Sequence, residues 1–273
     1  MPPVSDIVEL VVLLLVAGGV AGLLAGLFGI GGGAVLVPVF YQAFAMAGVD
    51  ESVRMQLCVG TSLAIIVPTS LRSFQAHYKR GSVDMVLLRR WLIAVPVGSL
   101  MSTLVLAYAP PAVVKSAFAV ITLLIAAKML FRRLAELKLG DDLPKTPALY
   151  GFGWAIGMLS GLIGIGGGTL NNTFMTFYNR PMLQAVATSS GVGVLIAVPS
   201  FFGNVYGGWG REGLPIFSTG FVNWIAVILI IPITMYVAPI GAKLAHRLSK
   251  RQLEISFGIF LLIISARFFI TLI

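Results

Sequence analysis

Cysteine is nearly missing. Cys58 stands alone, which excludes an intramolecular disulfide, a CxxC redox pair and a multi-cysteine metal site, and leaves it the part of a small apolar residue. Histidine is almost as scarce, with His77 and His246 only. Charge is scarce as well: 11% of the 273 residues are Asp, Glu, Lys or Arg, against roughly a quarter in soluble domains. No carboxylate falls at the centre of an apolar run, since Asp84, Glu136, Asp141, Asp142, Glu212 and Glu254 lie in or beside polar connections. These absences argue against an enzyme built on a histidine and carboxylate constellation. They also leave no intramembrane carboxylate to carry a proton.

Apolar residues are what the chain has, at 58%. They come in blocks such as Val59 to Ala76, Leu92 to Tyr108, Ala112 to Phe131 and Leu253 to Ile273, close to the ~20 residues that cross a hydrocarbon core. The expected class is an all-α integral membrane protein of the bacterial inner (plasma) membrane, multi-pass, with the lipid bilayer as its solvent. The first segment carries Asp6 and Glu9 but neither Lys nor Arg, so it reads as a retained span and not as a signal peptide. A net charge of +9 would suggest nucleic acid in a soluble protein. Here the basic residues sit in short connections, where topology places them, so no nucleic-acid partner is inferred.

The organising feature is a self-match. Gly26 to Gly33, read Gly-Leu-Phe-Gly-Ile-Gly-Gly-Gly, recurs as Gly-Leu-Ile-Gly-Ile-Gly-Gly-Gly at Gly161 to Gly168. Thr61-Ser62 answers Thr188-Ser189, Gly81 to Met85 answers Gly220 to Trp224, and Lys115 to Phe131 answers Glu254 to Ile270. The division expected is a first membrane repeat at 1–134, a cytoplasmic linker at 135–147 and a second membrane repeat at 148–273, the linker carrying Lys138, Lys145 and Pro144.

Each half opens with an apolar segment too long for one span and interrupted by glycines, which are poor helix interiors and good places to turn. It either crosses once as a broken helix or doubles back as two arms. A single crossing divides the loop cations nine against seven between the two sides; doubling back divides them thirteen against three, with Arg54, Lys115 and Arg211 in the minority. The positive-inside rule favours the second arrangement. Each half then has five segments, an odd number, and the second half inserts upside down. The expected architecture is two inverted repeats, each a glycine-interrupted hairpin-like segment plus three transmembrane helices, eight to ten hydrophobic segments in all, with both termini periplasmic.

In inverted-repeat transporters the cargo lies where broken helices present their N-terminal ends. Gly31, Gly32 and Gly33 and their counterparts Gly166, Gly167 and Gly168 could therefore cradle an anion without a buried cation, although glycines also serve simply to let helices pack. Neither run is a nucleotide loop, because no GKS or GKT follows. Thr61, Ser62, Thr188, Ser189 and Ser190 are read as starting helices, where they would either donate to substrate oxygens or cap. Asn171 and Asn172 replace Leu36 and Val37 of the first half, and carboxamides are costly at lipid depth, which favours substrate contact. Arg72 is either a snorkelling cation or a gate, and His77, read as following its helix, is either structural or a proton relay.

Gly26 to Gly33 with Pro38 beyond, Gly60-Thr61-Ser62, His77 to Asp84 and Ala187-Thr188-Ser189 together resemble the TauE/SafE family of sulfite and organosulfur anion exporters over nearly the whole chain. The sequence departs from that pattern at Asn171, Asn172 and Thr173. The resemblance implies sulfite, sulfoacetate, thiosulfate or a related sulfonate as cargo. The function expected is a secondary transporter exporting small sulfur oxyanions by alternating access, with no cofactor and no metal. A passive anion channel is the alternative within transport; a membrane enzyme and a cargo-free scaffold are the others. A homo-oligomer is compatible with the sequence.

Overall fold

The computed structural model describes residues 11–12, 14–16, 18–23, 33–131, 137–245 and 250–272. Helix α1 is Gly33–Met46, followed by α2 at Glu51–Lys79, α3 at Met85–Arg90, α4 at Ala94–Tyr108 and α5 at Pro111–Leu130. After a connection through 137–145 come α6 at Thr146–Ile163, α7 at Gly168–Phe177 and α8 at Met182–Gly207. A small hairpin, β1 at Ser218–Thr219 with β2 at Val222–Asn223, pairs Ser218 with Asn223 and Thr219 with Val222 before α9 at Trp224–Ala245 and α10 at Lys250–Ile270. Residues 18–23, ahead of α1, are also helical.

The helix ends follow from local chemistry. Asp50 caps α2 by accepting the Ser52 N–H at 2.7 Å, Glu51 sits in its first turn, and His77 and Lys79 in its last, which complements the helix dipole at both ends. Asp84 caps α3 by accepting the Leu87 N–H at 3.0 Å. Pro111 opens α5, a position where a missing N–H costs nothing. Among the described residues four helices, α2, α5, α6 and α8, are long and apolar enough to cross a membrane, with shorter apolar helices beside them. The outward faces of α4, α5, α9 and α10 expose Leu104, Leu124, Ile228 and Ile263, as a hydrocarbon surround requires. The fold is all-α and of membrane type.

Two boundary expectations need correction. Thr61 and Ser62 lie in the interior of α2, and Thr188 to Ser190 in the interior of α8, not at helix starts. His77 belongs to the last turn of α2 and not to a loop.

The packing is reciprocal between the two parts of the chain. Helix α2 packs on α8 and α5 on α10, while α6 packs on α4. In the α4–α6 seam a Cβ on Gly98 would stand 2.1 Å from the Trp154 carbonyl oxygen and one on Gly157 2.2 Å from that of Val95, so the backbones touch as small-residue seams allow. Gly18 and Gly22 lie correspondingly against Ile230 and Thr234 of α9.

Hydrogen bonds repeat the same correspondence. The Asn223 N–H donates to Thr61 Oγ1 at 3.0 Å, and the Asp84 N–H donates to Thr188 Oγ1 at 2.9 Å. Asn223 then caps through the Ala226 N–H as Asp84 does through that of Leu87. The Ser82 N–H donates to the His77 carbonyl, and the Phe221 N–H to that of Asn204.

The structure also decides how the second glycine segment runs. Phe152, near the start of α6, is 5.0 Å from the ring of Phe174 and 6.3 Å from that of Tyr178, at the far end of α7. The Leu139 N–H in the connection donates to the Phe177 carbonyl at 2.8 Å. The end of α7 therefore returns to the level where α6 began, and the chain doubles back at its glycines. The turn of the first glycine segment lies outside the described residues.

Cations separate into two groups along this frame. Lys115 pairs with Glu51, Arg54 donates to the Val49 carbonyl, and Arg211 donates to that of Ala107, all where α4 ends and α5 begins. At the other end of α5, Arg251 donates to the Met129 and Leu130 carbonyls and Lys128 reaches Thr176. Thirteen residues of helix, ~20 Å at 1.5 Å per residue, separate Lys115 from Lys128.

Candidate functional site: the second glycine loop and its polar shell

Helix α6 ends at Ser160 to Ile163, where the N–H groups of Gly164 and Ile165 both donate to the Ser160 carbonyl. Gly164, Gly166 and Gly167 then take φ of +69°, +68° and +78°, the left-handed region that costs other L residues roughly 1–2 kcal/mol each. That run of turns reverses the chain within a few residues and starts α7 at Gly168. The first-turn N–H groups of α7, at Gly168, Thr169 and Leu170, have no intrahelical carbonyl to donate to. They form the positive end of the helix, directed into the protein interior.

The two glycine segments meet. A Cβ on Gly33 would stand 2.2 Å from the Gly164 carbonyl oxygen and 2.8 Å from the Ile165 Cα, so the start of α1 lies against the second loop. Gly31 and Gly32 lie outside the described residues. Ser62, fully buried on α2, donates to the Gly164 carbonyl at 2.9 Å. A Cβ on Gly166 would meet Ile66 at 2.8 Å and one on Gly167 would meet Ile196 at 2.4 Å. The long helices α2 and α8 thus clamp the loop from either side.

Asn171 and Asn172 reach α8 through one hydroxyl. Asn171 Nδ2 donates to Ser189 Oγ at 2.6 Å, and Ser189 donates to Asn172 Oδ1 at 2.6 Å, with the Gly168 carbonyl 3.3 Å away. Asn171, Asn172 and Ser189 are 0%, 7% and 1% exposed, which closes the cluster to solvent. Of the remaining hydroxyls, Thr61 and Thr188 are taken by the paired backbone contacts between α2 and the hairpin and between α8 and α3. Ser190 Oγ donates to the Ala187 carbonyl of its own helix at 2.6 Å. These three fasten the scaffold.

Six buried side-chain polar atoms among the described residues lack a partner, and three of them belong to this loop and its flanks: Ser160 Oγ, Thr169 Oγ1 and Asn171 Oδ1. Leaving such groups unpaired costs ~1–3 kcal/mol each. Ser160 Oγ stands 3.6 Å from where a Cβ of Gly167 would be, beside the turn and the start of α7. Sequence reading missed Ser160 and Thr169. The signal was available: the 135-residue offset between the two glycine motifs aligns Ser160 with Ala25 and Thr169 with Ala34, so both break the repeat as Asn171 and Asn172 do.

Arg72 and His77 are not part of this assembly. They follow Ser62 along α2 by ten and fifteen residues, ~15 and ~22 Å of helix. Arg72 is exposed and His77 half-buried near the end of the helix.

Comparison with known proteins places this geometry in a family. The model of the sulfite exporter TauE/SafE family matches residues 14–268. A probable membrane transporter protein of Haemophilus influenzae is 30% identical over 260 residues, covering 95% of this chain and 98% of that protein. One from Methanocaldococcus jannaschii is 30% identical over 251 residues, 89% of each chain, and one from Bacillus subtilis is 26% identical over 274 residues, 94% of this chain and 96% of the other. No solved structure matches the chain. A multi-pass membrane transporter by fold and by kinship, this chain belongs to the sulfite exporter TauE/SafE family.

Proposed function

We propose that this transporter exports small sulfur-containing oxyanions, sulfite foremost, and holds them at the second glycine loop. The observation that carries the reading is the set of unpaired groups around that loop. The hydroxyls of Ser160 and Thr169 have no partner among the described residues, and the first-turn N–H groups of α7 have no intrahelical acceptor and form the positive end of the helix beside them. A compact oxyanion supplies several acceptor oxygens at once. Hydrogen bonds to a charged group are worth ~1.5–3 kcal/mol each, enough to hold it without a buried Lys or Arg. Kinship with the sulfite exporter TauE/SafE family supports sulfur oxyanions as the class.

The way the loop is held supports alternating access. Helices α2 and α8 pack on each other and clamp it from both sides, and the Asn171–Ser189–Asn172 bridge ties α7 to α8 while Ser62 ties the loop to α2. Relative movement of α2 and α8 would open the loop to one face or the other. We place the two parts of the chain as inverted repeats of one unit in the bacterial inner membrane. The end bearing Lys128, Arg251 and the linker then faces the cytoplasm, and both termini are periplasmic.

The test is flux of labelled sulfite into proteoliposomes under an imposed pH gradient or membrane potential, with taurine, sulfate, thiosulfate and sulfoacetate as competitors. Saturable flux with counterflow is expected, and Asn172→Leu should abolish it while leaving the protein inserted and monodisperse. Non-saturating flux without counterflow would make the protein a channel. No flux of any sulfur anion through folded protein would remove the cargo assignment.

A further inference from the structure

A second candidate for anion contact lies away from the buried cluster, on the end of the molecule that carries the linker. A cavity of about 380 Å³ opens there between α3, the connection 137–145, the start of α6 and the turn after α7, lined by Asp84, Arg90, Asp142, Leu143, Leu149 and Arg180 among others. None of the buried cluster residues lines it.

Its charged groups are unevenly committed. Asp84 caps α3 through the Leu87 N–H. Asp142 meets Arg180 only at 3.4 Å, and its side chain is 90% exposed, a pairing of the kind that contributes little. Arg180 Nε is buried and has no acceptor among the described residues, and a buried guanidinium N–H without an acceptor is costly. Arg90 is exposed and has no hydrogen bond or ion pair to a described residue. Two forks of donors, one from α3 and one from the turn between α7 and α8, thus face one cavity with most of their N–H groups unused. Guanidinium forks match the geometry of oxyanions.

The cavity is joined to the buried cluster through α8. The Asp84 N–H donates to Thr188 Oγ1, and the next residue, Ser189, bridges Asn171 and Asn172. We propose that this cavity is a loading site, in which Arg90 and Arg180 take a small free oxyanion from the linker-bearing face before it enters the buried cluster. The inference rests on the anion-transport reading above. The two carboxylates in the lining keep the site weak, which suits a station that must release its ligand inward. A phospholipid headgroup shares the oxyanion chemistry, and the experiment separates the two sources.

Equilibrium dialysis of labelled sulfite against the detergent-purified protein should find two sites in the wild type and one in the Arg90→Gln/Arg180→Gln double variant. In proteoliposomes the double variant should lose about tenfold in kcat/KM for sulfite, the effect of one or two charge-assisted contacts, while kcat at saturating sulfite is retained. Arg180→Lys, which keeps the charge and loses the fork, should fall between. Two sites and unchanged kcat/KM in the double variant would overturn the proposal. So would an arginine-dependent site that phosphatidylglycerol in nanodiscs fills to the exclusion of sulfite. If the arginine variant loses its site while Asn172→Leu keeps two sites and full flux, the cavity stands as an oxyanion site and the buried-cluster reading falls instead.

Discussion

Ser160 and Ser62 set an uncommitted hydroxyl against a structural one. Ser160 Oγ is fully buried and bonds to no described residue, whereas Ser62 donates to the Gly164 carbonyl and Ser189 holds two asparagines. Ser160→Ala removes no hydrogen bond from the resting protein and relieves an unsatisfied hydroxyl, so its melting temperature in detergent should hold or rise. Its kcat/KM for sulfite should fall about tenfold if the hydroxyl donates to the anion, the effect of ~1.5 kcal/mol. Ser62→Ala should instead lower stability by about 1 kcal/mol, seen as an earlier thermal transition. Equal flux in wild type and Ser160→Ala would take Ser160 out of the site.

At the scale of elements, the glycines that matter are those where two backbones touch. Gly33 against Gly164 is the tightest such contact at the loop. In Gly33→Ala the new carbon meets backbone that cannot swing aside, and overpacking of this kind costs ~1–3 kcal/mol. The variant should melt earlier and lose flux. Gly19 has nothing within 4 Å, so Gly19→Ala gains helix propensity, ~1 kcal/mol at most, and should melt no earlier than wild type. If both variants behave alike, the meeting of the two segments is not what holds the loop.

The same contacts explain which element boundaries were legible in the sequence and which were not. The apolar blocks around Ala94–Tyr108 and Pro111–Leu130 read directly as helices, because hydropathy reports burial in lipid. The start of α2 did not. Gly60 before Thr61 looks like a breaker, yet it sits in mid-helix because a Cβ there would be 2.1 Å from the Phe221 carbonyl oxygen, a tertiary contact that no local pattern encodes. The true start is set by the Asp50 cap, twelve residues after Pro38. His77 was lost to a loop for the opposite reason: hydropathy falls there, while a cationic last turn still favours the helix end. In the site, Asn171 and Asn172 stood out as polar breaks in the repeat. Ser160 and Thr169 break it too, but small hydroxyls are common in membrane helices and carry meaning only once their missing partners are seen.

For the whole molecule, the reversal at the second glycine loop dictates which connections share a side of the membrane. A single crossing would put the 208–217 connection on the linker side, with Arg211 beside Lys138. Doubling back puts them on opposite sides, as the contact of Arg211 with the Ala107 carbonyl and of Leu139 with Phe177 indicates. Cys58 is the single cysteine and is buried, so Cys58→Ala gives a background in which one introduced thiol reports alone. Glu212→Cys and Lys138→Cys both lie at exposed positions. In spheroplasts a membrane-impermeant maleimide should label the first at once and the second only after permeabilisation, the order that places the cation-rich end in the cytoplasm. The reverse order would keep the fold and invert the orientation, turning the arginine-lined cavity to the outside and the proposed loading step into a release step. Labelling of both from one side would mean that the chain crosses at its glycines after all, and the inverted pairing of the two halves would have to be abandoned.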